Sequence, residues 1–244
     1  MRRFFIETSL ESKMSIQGPD AHHISRVLRL ELGDNIIVVS PSGDAGIGKI
    51  TAIALDRVEL LLEKRIEEDK EAPINVYLAQ GLPKSDKMDY IVQKAVELGI
   101  KGIYPMETKH CVVQYDTAKK NSRRERWQKI ASEAAKQCGR SIIPTVEAVI
   151  PLGAILQSLT ADTAILMLYE GQTSQGIRQA LAKHKAKNYL LLVGPEGGFS
   201  EKEVALCRDH GTHIVTMGPR ILRTETAALT GVSIVMYEYG DLGG

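Results

Sequence analysis

Residues 188–227 read N-Y-L-L-L-V-G-P-E-G-G-F-S-E-K-E-V-A-L-C-R-D-H-G-T-H-I-V-T-M-G-P-R-I-L-R-T-E-T-A. Tyr189–Val193 is a short apolar run of the kind that forms a buried strand. It stops at Gly194-Pro195-Glu196-Gly197-Gly198, a loop whose backbone can approach a ligand closely. Ser200 and Glu203 have the spacing of a capping box, which predicts a helix running to about His210 and closed by Gly211. His213–Met217 reads as a second strand, and it too ends in Gly-Pro, at Gly218-Pro219. Two neighbouring strands ending in glycine-bearing loops predict an α/β domain with a ligand at the carboxyl edge of its sheet. A pair of ordinary αβ turns would leave the same local pattern.

The loops match neither G-x-G-x-x-G nor G-K-[ST], so the dinucleotide and P-loop fingerprints are both missing. A glycine loop that holds Glu196 and lacks a lysine is also poorly suited to phosphates, which argues against a nucleotide-dependent enzyme. Beyond the second loop, Arg220, Arg223 and Glu225 lie among Ile221, Leu222, Thr224 and Thr226, directly before the apolar run Ala227–Met236. Charges at the start of a buried helix mark a candidate site, because helix N-termini present free N–H groups.

V-G-P-E-G-G-F-S-E-K-E, M-G-P-R-I-L-R-T-E-T-A and the earlier Q-K-A-V-E-L-G together closely resemble the RsmE family. Members of that family are SPOUT-class, S-adenosylmethionine-dependent methyltransferases of uridine N3 in small-subunit (16S) ribosomal RNA. The resemblance covers essentially the whole chain and implies an α/β fold. A PUA-like RNA-binding β-barrel over residues 1–72 would precede a SPOUT domain over 73–244, with a deep trefoil knot and donor site at about 164–232. Sequence pattern alone would not suggest a knot, because knots are so rare.

The resemblance assigns donor binding to the ends of three strands. These are Leu168, Tyr169 and Glu170; Val193, Gly194, Pro195, Glu196, Gly197 and Gly198; and Met217, Gly218, Ile221, Leu222, Arg223, Thr226 and Ala227. For RNA it points to His23, Arg26 and Arg29, to Gln137 and Arg140, and to Arg220. Lys84, Lys87 and Lys94 are further candidate phosphate contacts. It also implies a homodimer that acts on 16S RNA or the 30S subunit.

Bulk properties agree with a soluble protein: 43% apolar and 25% charged residues. No apolar run reaches membrane-spanning length, and M-R-R-F-F-I-E lacks a secretory core. Cys111, Cys138 and Cys207 are widely spaced and form no C-x-x-C, which predicts reduced thiols in a cytoplasmic protein and no metal site. Residues 1–72 carry 10 basic and 13 acidic side chains, and residues 73–244 carry 21 and 17. Lys119–Arg140 holds eight basic residues against Glu125 and Glu133, a pattern that fits a phosphate-tracking helix or a plain solvated one.

In the first part, Phe4–Ile6, Asn35–Ser40, Gly46–Leu55 and Val58–Lys64 read as strands, and Pro41-Ser42-Gly43-Asp44 as a hairpin turn. Asp20 is placed to cap a helix over Ala21–Leu30, which serves RNA contact or simply plugs the barrel with snorkelling arginines. The charged segment 65–73, ending in Pro73, reads as a linker. Beyond it, Ile74–Gln80, Ile103–Met106 and Ala164–Leu168 read as strands, Met88–Leu98 as a helix and Ala227–Tyr239 as a long final helix. The chain departs from the family pattern at Glu107-Thr108-Lys109-His110-Cys111, where relatives often have an arginine.

Uridine N3 is largely protonated at neutral pH, so its attack on a methyl carbon needs a base or a cation that stabilises the anion. The core motifs hold no histidine. Arg223 is therefore the expected anion stabiliser, with Glu225 orienting Arg223 or the donor. The alternatives are 2′-O-methylation of another RNA and a catalytically silent RNA-binding assembly factor.

Overall fold

The computed structural model describes residues 1–54, 56–67, 70–171 and 175–244. Leu55, at the end of an expected strand, and Glu68 and Asp69 of the expected linker lie outside the described residues. Two compact units emerge: 1–71 with 135–143, and 72–134 with 144–244. The first unit thus takes a second segment of chain, which a single cut at 72/73 would not include.

In the first unit, β1 (Arg3–Phe5) and β2 (Lys13–Gln17) come before α1 (Pro19–His22), which runs on as a π-helix over His23–Val27. β3 (Asn35–Val39), β4 (Ala45–Ile53) and β5 (Arg57–Ile66) follow. Among the described residues they form a five-stranded sheet in the order β1-β3-β4-β5-β2, in which only β1 and β3 run parallel. Alternation buries Ile36, Val38, Ile50, Val58 and Leu60 against Ala21 and Ile24. Gly43 has φ 91°, and Ser40 N–H closes the expected turn on the Asp44 carbonyl.

Three expectations shift in this unit. β2 went unseen because K-M-S-I-Q has only two buried apolar positions, Met14 and Ile16. Asp20 does not cap the helix: Gly18 is the N-cap, and both Asp20 oxygens accept from Lys136 Nζ. The helix is also shorter than expected, because it widens to π geometry and then breaks at Arg29, whose φ is 53°.

The second unit alternates strands and helices. It opens with β6 (Asn75–Gly81), α2 (Lys87–Glu97), β7 (Gly102–Glu107), α3 (Thr117–Cys138), β8 (Thr145–Val146) and β9 (Ile150–Pro151). Then come α4 (Leu152–Ser158), β10 (Thr163–Leu168), α5 (Ile177–Lys183), β11 (Asn188–Val193), α6 (Glu201–Asp209), β12 (His213–Val215) and α7 (Thr224–Tyr239). Every strand pair is parallel, in the order β12-β10-β11-β6-β7-β8 with β9 also on β7, among the described residues. Helical crossovers cover both faces of such a sheet, so its central strands can be wholly apolar. Tyr189–Val193 of β11 is accordingly buried throughout.

One face of the sheet, with Met167, Leu190 and Leu192, packs on Ile155, Val204 and Cys207 of α4 and α6. Burial pushes the Cys207 thiol up to about 11. α7 packs on α2, β6 and β11. It comes so close at Gly231 that a Cβ there would lie 2.8 Å from Leu168 Cδ1. α4 and α5 are only seven residues long and were too short to announce themselves by period. Among the described residues, no helix is long and apolar enough to cross a membrane.

Candidate active site

β10, β11 and β12 lie side by side in parallel, so their carboxyl ends and the loops that follow share one edge. A cavity of about 380 Å³ opens there. The first strand end contributes Leu168, Tyr169 and Glu170 to its walls; the second contributes Val193–Glu196, Gly198 and Phe199. Met217, Arg220–Thr224, Ala227 and Lys87 complete the lining. Of the residues expected to bind donor, Gly197, Gly218 and Thr226 do not line the cavity.

The Gly194–Gly198 loop is tightly built. Gly198 N–H donates to the Pro195 carbonyl at 2.9 Å, closing a turn in which Gly198 has φ 66°. A Cβ on Gly81, at the end of β6, would stand 2.5 Å from Pro195 Cδ, so glycine is what lets that strand end meet the loop. Behind the wall, buried Gln80 Nε2 donates to Thr224 Oγ1 at 2.8 Å, and Thr224 Oγ1 donates to the Gly194 carbonyl at 2.6 Å. Thr224 therefore turns its hydroxyl away from helix capping. α7 starts three residues earlier than expected, with Arg223 as an N-cap that makes no side-chain cap bond. Ser200 and Glu203 do form the expected capping box at the start of α6.

Charges divide unevenly around the cavity. Glu196 accepts from Lys84 N–H at 3.2 Å and from Lys87 Nζ at 2.9 Å, and Glu225 lies 3.3 Å from the same ammonium. The hydrogen bond to Glu196 holds the Lys87 pKa up, against burial and with help from Glu225. Burial would raise the Glu196 carboxyl, but its bonds from Lys87 and the backbone outweigh that and hold it low. Glu225, expected to orient Arg223 or the donor, is thus also paired with Lys87. Arg220 and Arg223 are exposed on the cavity lining, and among the described residues no carboxylate engages either guanidinium.

The residues expected to meet RNA fare differently. His23, Arg26 and Arg29 are exposed on the π-helical segment of the first unit and just beyond it, and Gln137 is exposed on the last turn of α3. Lys84 is exposed, whereas Lys94 pairs with Glu97 at 2.8 Å and Lys87 sits between two glutamates. Arg140 is a correction: it is 5% exposed, and its guanidinium is held by Glu71. The cationic face expected on α3 is largely consumed in the same way, through Lys120–Glu107, Arg124 to the Val146 carbonyl, Arg126–Asp89 and Lys136–Asp20. Sequence reasoning also missed Gln80, Phe199 and Thr224. Phe199 follows the glycine loop directly and was readable as its apolar anchor, while the other two depend on contacts across the sheet. Among the described residues, no group of three His, Cys, Asp or Glu side chains is placed to hold a metal.

Residues 70–236 match the family described as the RNA methyltransferase domain, and residues 16–63 match the RNA methyltransferase PUA domain. Ribosomal RNA small subunit methyltransferase E of Bacillus subtilis is 37% identical over 98% of this chain and 97% of its own length. The crystal structure of the Neisseria gonorrhoeae protein of that name, bound to S-adenosylmethionine, superimposes with a TM-score of 0.89 at 30% identity, covering 99% of both chains. A putative methyltransferase from Legionella pneumophila, also solved with S-adenosylmethionine, gives a TM-score of 0.88 at 28% identity over 98% of both.

Proposed function

The chain belongs to the ribosomal RNA small subunit methyltransferase E family, and from that premise we propose that it methylates N3 of a uridine in 16S ribosomal RNA using S-adenosylmethionine. The observation that carries this is the cavity built by three neighbouring strand ends, in a chain two of whose relatives of known structure hold that donor. Its volume of about 380 Å³ falls within the range of small-molecule sites. Leu168, Val193, Met217, Ile221 and Leu222 offer an apolar wall for adenine, and the carboxylates of Glu170 and Glu196 suit a cationic donor.

The donor supplies an electrophilic methyl carbon, which leaves the protein to position the uridine and manage its N3 proton. Arg223 stabilises the N3 anion as the proton leaves, because it lines the cavity and, among the described residues, no carboxylate engages its guanidinium. Arg220, beside it, holds an RNA phosphate. Glu225 acts at one remove: paired with Lys87, it fixes the first turn of α7 and the loop that carries Arg223. His23, Arg26, Arg29, Lys84 and Gln137 supply further RNA contacts. The trefoil knot, a homodimer, the 30S subunit as substrate and a cytoplasmic location complete the proposal; the relationship to the family supports them.

The test is nucleoside mass spectrometry after purified protein and S-adenosylmethionine are added to unmethylated small subunits or to naked 16S RNA. Formation of 3-methyluridine is expected, with the subunit as the better substrate. A 2′-O-methylated product would refute the target, and RNA binding without any transfer would refute the enzyme.

A further inference from the structure

The segment where this chain departs from the RsmE pattern lies against the glycine loop of the cavity. His110 Nδ1 is 2.9 Å from the Gly197 carbonyl oxygen. A carbonyl only accepts, so Nδ1 carries the proton in this contact. The packing is equally close: a Cβ on Gly197 would stand 2.8 Å from His110 Cβ and 3.1 Å from the His110 carbonyl oxygen. An imidazole has its first donor next to Cγ, which is the reach required for a carbonyl lying against the residue's own backbone.

Neighbouring bonds anchor the histidine. Lys109 N–H donates to Glu203 Oε1 at 2.8 Å, while Glu203 Oε2 accepts from Ser200 N–H at the start of α6. Glu107, three residues earlier, pairs with Lys120 at 2.8 Å. On the loop side, the Gly197–Gly198 peptide has both ends taken: its carbonyl by His110, and its N–H by the Pro195 carbonyl that closes the turn. A glycine–glycine peptide flips readily unless such bonds hold it. Glu196, on the opposite flank, is held by Lys84 and Lys87.

We propose that His110 is a positioning residue for the donor loop: its Nδ1–H fixes the Gly197–Gly198 peptide and so sets Pro195, Glu196 and Gly198 in the cavity wall. This rests on the cavity being the donor site. The role needs only the Nδ1 donor, so asparagine, whose amide nitrogen falls near the Nδ1 position, replaces it, and glutamine, which reaches toward the Nε2 position, does not.

Calorimetric titration of the full-length protein with S-adenosylmethionine tests this in H110A, H110Q and H110N. The loss of one hydrogen bond predicts donor binding weakened roughly three- to tenfold in H110A and H110Q. H110N is expected to bind within about twofold of the unmutated protein, and the ligand-free Tm of the exposed-site variants to stay unchanged. Unaltered affinity in H110A, or equal weakening in H110N and H110Q, would overturn the proposal. So would a Tm loss that tracks the affinity loss, since it would assign His110 to general stability. An unmutated protein that fails to bind S-adenosylmethionine would sink the donor site itself, and this inference with it.

Discussion

Two loops that each carry a Gly-Pro, Gly194–Gly198 and Met217–Arg223, end neighbouring parts of the same sheet edge, yet the protein treats them in opposite ways. The first is pinned on every side: by Gly81 packing on Pro195, by the Gln80–Thr224–Gly194 relay, by Lys84 and Lys87 on Glu196, and by His110 on Gly197. The second is nearly bare. Gly218, Pro219, Arg220, Ile221 and Arg223 are exposed, Ile221 by 80%. Among the described residues, the only side-chain-to-backbone bonds that reach it join Thr216, just before the loop, to Gly218. The contrast separates two tasks. A binding wall gains affinity from being ordered before its ligand arrives, whereas cations meant for a large polyanion must stay uncommitted and accessible until it docks.

The strongest challenge to this contrast is Arg223→Ala. If the bare loop supplies the reactive charge, kcat should fall by about 10²–10³, while donor affinity by calorimetry stays within about threefold. An equal loss of donor affinity would mean that Arg223, like Met217, Ile221 and Leu222 of the same loop, serves the donor wall and not the reaction. Thr224→Val probes the pinned side, keeping the shape while leaving Gly194's carbonyl without its donor. The expected cost is about 1–3 kcal/mol, seen as a Tm lower by several degrees and as weaker donor binding. An unchanged Tm would show that the relay is dispensable.

A smaller effect follows from pH. The Glu196 carboxyl is held below its ordinary value of 4.5, so its hold on the loop is complete above that value. The hold disappears only as pH falls through the lower folded value. Donor binding attributable to Glu196 should therefore be flat from pH 8 to 5 and decline in more acidic solution, and Glu196→Gln should remove that part of the decline. A decline centred near neutrality that Glu196→Gln abolishes would contradict the assignment.

Much of the cavity was legible before any coordinates, for local reasons. Strand ends, glycine turns and the Ser200–Glu203 capping box are short-range chemistry, and the parallel order of β10, β11 and β12 brings their loops together. The basic helix shows where such reasoning fails. Lys120, Arg124, Arg126, Lys136 and Arg140 look alike in sequence as free surface charge. Each is satisfied by a partner between 13 and 116 positions away, and Arg140 is buried on Glu71. Spacing along a helix says which side a charge is on, but not whether a carboxylate waits there.

By itself, then, the sequence determined the α/β domain, the glycine loops and the arginines beside them, because turns, caps and strand periodicity are written in a few adjacent residues. Only the tertiary structure decided which cations remain free, where Thr224 sends its hydroxyl proton and that His110 meets Gly197, 87 positions along the chain. Such pairings depend on strand register and on how loops close over a sheet edge, and both are set by packing the whole unit at once.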